Sequence, residues 1–214
     1  MKKSEISKNL KAYNAIKELV AGRKLSPGQK LIYRDLEEAL GMSKTPIING
    51  LMRLEQEGLV VSKRNRGFFM REVSASEAEQ IYDLREKLEE ISINYAIKNH
   101  NRNDLAILQK KLNHYNNYSA HIYDRKRLEL DTEFHMQIAK MGKNEFFTSM
   151  IKQFYENIYF ILNVVYLSSY IDSFKKEHEL VFNAIRKRNL KEAKRVLRIH
   201  TRAARKLLVA ALNA

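Results

Sequence analysis

Four side chains carry spacing that suits metal chemistry. Asp131 and His135 stand four residues apart, which on a helix puts both on one face. His178 shares a helical stripe with Val181, Phe182 and Ile185. His200 shares one with Val196, Leu197, Ala204 and Leu207. All three imidazoles are therefore expected to face apolar interiors. Three imidazoles and one carboxylate form a nitrogen and oxygen donor set of the kind that holds zinc, with nickel and manganese as alternatives. Such a set leaves room for water or a ligand if the ion goes beyond four-coordinate. The bland reading stands beside this one: a single histidine on an apolar face is usually a hydrogen-bonded core residue, and Asp131 alone could be a surface residue or a helix cap. His100, His114 and His121 fall near helix ends, on a polar face or in a loop, and show no such pattern.

A second group is basic. Ser43-Lys44-Thr45-Pro46 follows Gly41 and opens a helical stretch, with Ser43 as its cap. At the N-terminal end of the second helix of a helix-turn-helix, side chains reach base edges and phosphates. Lys44 can donate to guanine or phosphate there, and Thr45 to phosphate or a thymine methyl contact. Arg34 lies near the start of the preceding short helix. Lys63, Arg64 and Arg66 flank a turn beside Gly67 and suit a phosphate or minor-groove contact. The chain holds 39 Lys and Arg against 25 Asp and Glu, a net charge of +14. Residues 1–72 hold 15 and 8 of these, so charge is denser there. Such an excess attracts polyanions. Nucleic acid, an acidic membrane surface and plain solubility all remain open on charge alone.

The elements that must position these groups are mostly helices. Both prolines, Pro27 and Pro46, and six of the seven glycines precede residue 68. Short elements with frequent turns are expected there and long helices beyond. Ile6, Leu10, Tyr13, Ile16 and Val20 predict a first helix ending at Gly22. Leu36, Ala39 and Leu40 mark a short second one over 33–40. Ile47, Leu51 and Leu54 mark a third that Gly58 stops. Leu59-Val60-Val61 and Phe68-Phe69-Met70 predict two short strands. This order is that of a winged helix-turn-helix. Near Val73, Ser74 and Glu77 offer a capping box. Six helices follow, over 76–99, 103–119, 124–141, 144–168, 171–188 and 190–212, the first with Ile81, Leu84, Leu88, Ile91 and Tyr95 inward. The expected fold is mainly α. Residues 1–72 form a winged helix-turn-helix domain of three helices and a two-stranded wing. Residues 73–214 form an all-α bundle of about six helices.

Several classes are excluded. There is no cysteine, hence no disulfide framework and no thiolate site. No run reaches the roughly 18 apolar residues of a membrane span, and residues 158–167 are too short. A cytoplasmic protein without a membrane partner is the expectation.

Residues about 5–72 resemble the DNA-binding domain of GntR-family bacterial regulators. The runs that carry the resemblance are Leu25 to Leu31, Arg34-Asp35-Leu36, Leu40 to Pro46 and Leu54 to Val60. The resemblance implies this winged fold and binding of short DNA palindromes as a homodimer. It places Arg34, Lys44, Thr45 and Gly67 at DNA-contacting positions. Lys44 stands where arginine is more usual, Ile48 stands for a third contacting arginine, and Asn49-Gly50 replace an acidic residue and alanine. The operator is thus expected to differ from the usual one, with Asn49 a candidate reader of adenine. Residues 76–212 resemble the FCD sensor domain of the FadR-like subgroup. That resemblance implies a divalent metal on Asp131, His135, His178 and His200, and a small organic acid as effector. It also places Arg85 where an anionic ligand is met. The competing reading of Arg85 is an intrahelical pair with Glu89.

The expected function is a DNA-binding transcription regulator whose operator binding responds to a small carboxylic acid near the metal. Two other functions compete. A metal-dependent hydrolase would use the ion to activate water, although no HExxH and no glycine-rich phosphate loop is present. A nucleic-acid-packaging or membrane-surface protein would use charge alone.

Overall fold

A computed structural model describes residues 2–21, 25–119, 124–164 and 171–213. Contacts divide the chain into two compact units, Met1–Val73 and Ser74–Ala214.

The first unit holds α1 (Lys2–Ala21), α2 (Tyr33–Leu40) and α3 (Lys44–Gln56). α1 lies along α3. Gly50 allows the close approach, because a Cβ there would stand 2.9 Å from the Tyr13 backbone nitrogen. Ala12, Tyr13, Ile16 and Val20 are buried with Leu36, Ile47, Leu51 and Leu54. Leu10, expected among them, is exposed. Turning Ala12 and Tyr13 onto α3 rotates Leu10 outward. The side chain of Ile6 lies outside the described residues, as do Gly22 and His121. α2 keeps Leu36 inside, whereas Ala39 is exposed. Gly41 then ends α2 in the left-handed region at φ 61°, its N–H donating to the Glu37 carbonyl.

Ser43 occupies the N-cap of α3, but its side chain makes no capping hydrogen bond. A cap side chain accepts from the second or third helical N–H. The third residue is Pro46, which has none.

β1 (Val60–Lys63) pairs antiparallel with β2 (Gly67–Met70), Val60 opposite Met70 and Lys63 opposite Gly67. Asn65 and Gly67 turn the tip at φ 59° and 85°. A third extended segment, missed in the sequence, runs beside β2. The Gly28 N–H donates to the Met70 carbonyl at 3.1 Å, Met70 to Gln29 at 2.8 Å and Leu31 to Phe68 at 2.8 Å. Four residues after a turn are too few for alternation to show.

The second unit contains α4 (Ala75–Asn99), α5 (Arg102–Asn117), α6 (Arg125–Met141), α7 (Glu145–Val164), α8 (Ile171–Arg186) and α9 (Leu190–Leu212). The part of the expected fourth bundle helix beyond Val164 lies outside the described residues. Starts are marked by side chains: Ser74 Oγ accepts from the Glu77 N–H at 3.1 Å, and Asn101 with Asp104 forms a full capping box. α4 packs on α6 and α9, α8 on α5 and α9, and α6 on α5 and α7. Phe134, Ile138, Val181, Ile185, Val196 and Leu197 lie in the core between them.

α4 departs from its expected orientation. Its inward face is Ala78, Tyr82, Arg85, Leu88, Glu89, Ser92, Ile93 and Ala96. Leu84, Ile91 and Tyr95 are exposed. The reason is chemical: Arg85 and Glu89 neutralise each other and face the polar cluster described next, so this helix buries charge and leaves leucine outside.

Candidate functional site

In the first unit the candidate DNA-reading residues come from α2, the start of α3 and the wing. Arg34, Ser43, Lys44, Thr45, Asn49, Lys63, Arg64 and Arg66 are all exposed, and Gly67 is half-buried. Tyr33, which the sequence reading passed over, joins the three elements that supply them. Its ring lies 5.3 Å from Lys44 Nζ and meets Phe68 edge-on at 6.5 Å. Its hydroxyl would stand 3.8 Å from a Cβ at Gly67. Lys63 and Arg66 both lie over the Phe69 ring, at 4.6 and 5.6 Å. These cation–π contacts hold wing cations in place while leaving them solvated. A tyrosine immediately before Arg34 was the available signal.

In the second unit α6 supplies Asp131 and His135, α8 His178 and α9 His200, and all four are buried. One ligand atom from each lies within 4.8 Å of the others, a group able to hold a metal ion. His135 Nε2 stands 3.3 Å from His200 Nε2 and 3.3 Å from His178 Nε2. Asp131 Oδ1 stands 3.3, 3.9 and 4.0 Å from the Nε2 atoms of His178, His135 and His200. Nitrogen ligands about 2.0–2.1 Å from a tetrahedral centre sit about 3.3–3.4 Å apart.

The protonation pattern agrees with a cation site. His135 Nδ1 faces Glu89 Oε2 at 3.0 Å, and His200 Nδ1 faces Glu177 Oε2 at 2.9 Å. The His200 Nδ1–H donates to Glu177, so in the neutral ring the Nε2 lone pair points inward, toward His135 Nε2. Burial pushes His178 and His200 down to about 3, which keeps both rings neutral near pH 7. Burial pushes the Asp131 carboxyl up, but the His178 and His135 rings and the Arg85 guanidinium outweigh it and hold it well below the usual range. Asp131 Oδ1 makes no hydrogen bond. A buried anionic oxygen beside three imidazole Nε2 atoms fits a divalent ion. Glu89 and Glu177, which orient two rings from behind, were not assigned this role from sequence. Glu177 adjoins His178, and Glu89 lies four residues after Arg85, but neither spacing reveals which imidazole each would meet.

Arg85 lies beside the quartet and is fully buried. Its Nε donates to Glu89 Oε1 at 2.6 Å, so the intrahelical pair exists. Its Nη2 stands 3.5 Å from Asp131 Oδ2 and makes no hydrogen bond. Tyr155 donates to the same Glu89 Oε1 at 2.5 Å. Of the other histidines, His114 is exposed, whereas His100 is buried at the end of α4, with neither ring nitrogen hydrogen-bonded.

A three-helix unit with a basic two-stranded wing defines a winged helix-turn-helix regulator, and the second unit adds a helical bundle around a buried cluster of one aspartate and three histidines. Residues 8–70 match the family described as bacterial regulatory proteins, gntR family, and residues 80–203 match the FCD domain. The chain belongs to the GntR family of bacterial transcription regulators and carries an FCD domain. It is 24% identical over 194 residues to the uncharacterized HTH-type transcriptional regulator YdhC of Bacillus subtilis (strain 168), covering 89% of this chain and 86% of that one. It is 30% identical over 134 residues to the Nta operon transcriptional regulator of Aminobacter aminovorans, covering 63% of each. The fold is that of E. coli McbR/YncC, with TM-score 0.72, 22% identity and coverage of 95% of this chain and 97% of that one. A putative GntR regulator from Rhodococcus sp. RHA1 has the same fold, with TM-score 0.74, 17% identity and coverage of 96% and 99%. These relatives are regulators, which sets aside the metal-dependent hydrolase. A regulator of this type binds DNA. Among the described residues no helix is long and apolar enough to cross a membrane.

Proposed function

We propose that this chain is a homodimeric regulator that binds a palindromic operator and changes its operator affinity when a small organic acid binds beside a divalent ion. The ion is held by Asp131, His135, His178 and His200. Zinc suits this donor set best, and nickel or manganese also suit it. The observation that carries the reading is the inward meeting of three imidazole Nε2 atoms and Asp131 Oδ1 in a buried space. Bound there, the ion supplies a Lewis-acid centre to which a carboxylate can attach. Arg85 supports the effector half of the reading, because its Nη2, 3.5 Å from Asp131 Oδ2, makes no hydrogen bond and could donate one to an anion beside the quartet. Arg34, Ser43, Lys44, Thr45, Asn49 and the wing residues Lys63, Arg64, Arg66 and Gly67 form the operator-binding face. The effect of the acid is limited by its differential affinity for the operator-competent and operator-incompetent states.

The test is elemental analysis of the purified protein together with thermal melting before and after chelation. One divalent ion per chain is expected. Chelation should lower the melting temperature, and the added metal should restore it. His135→Ala should lose both the ion and the response to chelator. A stoichiometry near zero after purification without chelator, with no shift on adding zinc, nickel or manganese, would sink the metal reading.

A further inference from the structure

The outward face of α3 is more apolar than phosphate binding requires. Beyond Lys44 and Thr45 its outer row continues with Ile48, Asn49 and Met52. Thr45 and Asn49 are exposed, Ile48 is half-buried and Met52 is 49% exposed. Offsets of three, four and seven residues from Thr45 place these side chains on one stripe. The opposite face, Ile47, Gly50, Leu51 and Leu54, is buried and accounts for the core. The stripe is framed by cations. Arg34 and Lys44 stand at its start, and Tyr33 links that end to the wing with Lys63, Arg64 and Arg66. Arg53, also on α3 and exposed, lies 4.1 Å over the Tyr13 ring and 3.6 Å from Glu57.

An apolar stripe inside a cationic frame matches a surface with an anionic rim and a floor that offers methyl groups. The major groove is that surface, with phosphates along its edges and the thymine C5 methyl on its floor. Arginine at position 48 would favour guanine through paired donors. Isoleucine has no donor and can discriminate only by contact with carbon. Asn49, between the two apolar side chains, has the amide geometry that pairs with adenine N6 and N7.

We propose that Ile48 and Met52 read thymine methyl groups and Asn49 reads adenine, so that A·T pairs mark the operator where α3 enters the groove. This rests on the DNA-binding reading above and adds its base preference.

The full chain is used to select duplexes from a random-sequence pool, and each thymine of the selected site is then replaced singly by deoxyuridine. That change deletes the methyl group and keeps base pairing and every phosphate. Affinity, read by fluorescence anisotropy at fixed salt, should fall roughly fourfold for each contacted methyl group. The fall should vanish for that thymine in Ile48→Ala or Met52→Ala. Met52 is exposed, so its variant should keep the parent circular dichroism even if Ile48→Ala unfolds. A selected site whose deoxyuridine duplexes all bind as tightly as the parent would overturn the methyl reading while leaving operator binding intact. A pool that yields no preferred sequence would overturn both.

Discussion

At the scale of residues, the proposed ligand set rests on carboxylates behind two of the rings. Glu177 accepts from His200 Nδ1–H, which fixes that tautomer and aims its Nε2 at the centre, while Glu89 Oε2 stands 3.0 Å behind His135 Nδ1. Removing such a partner typically lowers metal affinity about 10–100-fold. Glu177→Ala should therefore weaken the ion by a factor in that range in a competition titration with a chromophoric chelator, while the bundle stays folded. An unchanged affinity would mean that packing alone orients His200. The candidate ligands were legible in part: Asp131 and His135 stand four residues apart, and His178 and His200 share stripes with apolar neighbours, so all four were expected on inward faces, where they lie buried together. Glu177 and Glu89 were not. Their partners come from other helices, and a helical period reports only which face of its own helix a residue occupies. Tyr33 escaped for the same reason, since its contacts lie on α3 and β2.

At the scale of elements, boundaries were far easier to read than orientations. Gly41, Gly58 and the Ser74–Glu77 cap punctuate the chain with local chemistry, and helix limits were expected within a few residues of where they lie. The inward face of α4 was misread because apolar counting cannot anticipate a buried ion pair. Arg85 with Glu89 takes the place that Leu84 and Ile91 were expected to hold. Gly50 shows the converse: as a replacement for alanine it has no reason in the sequence, and the structure supplies one. Alanine would gain about 0.5–1 kcal/mol in helix preference. Its Cβ would also stand 2.9 Å from the Tyr13 backbone and force α1 away from α3. Overpacking of this kind destabilises by roughly 1–3 kcal/mol. Gly50→Ala should therefore lower the urea midpoint of the protein, and a raised midpoint would show that α1 can move without loss.

At the scale of the whole molecule, the second unit presents a surface that a single copy leaves open. Leu84, Ile91 and Tyr95 of α4 are exposed, as are Phe146 (85%) and Met150 of α7. The two helices are joined beneath them by the Tyr95–Phe147 ring contact at 5.6 Å. If the proposed homodimer forms through this face, Ile91→Glu should shift the protein toward monomer in light scattering and weaken palindrome binding more than half-site binding. A dimer that survives this change would move the interface elsewhere. The quartet itself has a different reach. Its candidate ligands come from α6, α8 and α9, so the proposed ion would be gripped only while three separate helices remain docked, and its binding energy would add to the energy that holds them. Fraying of any one of these helices would release the metal, and a chain that has lost it spends more time open to proteases. Scarcity of the ion would then shorten the regulator's lifetime, tying the number of repressible or activatable promoters under its control to metal supply without any change in the rate at which it is made.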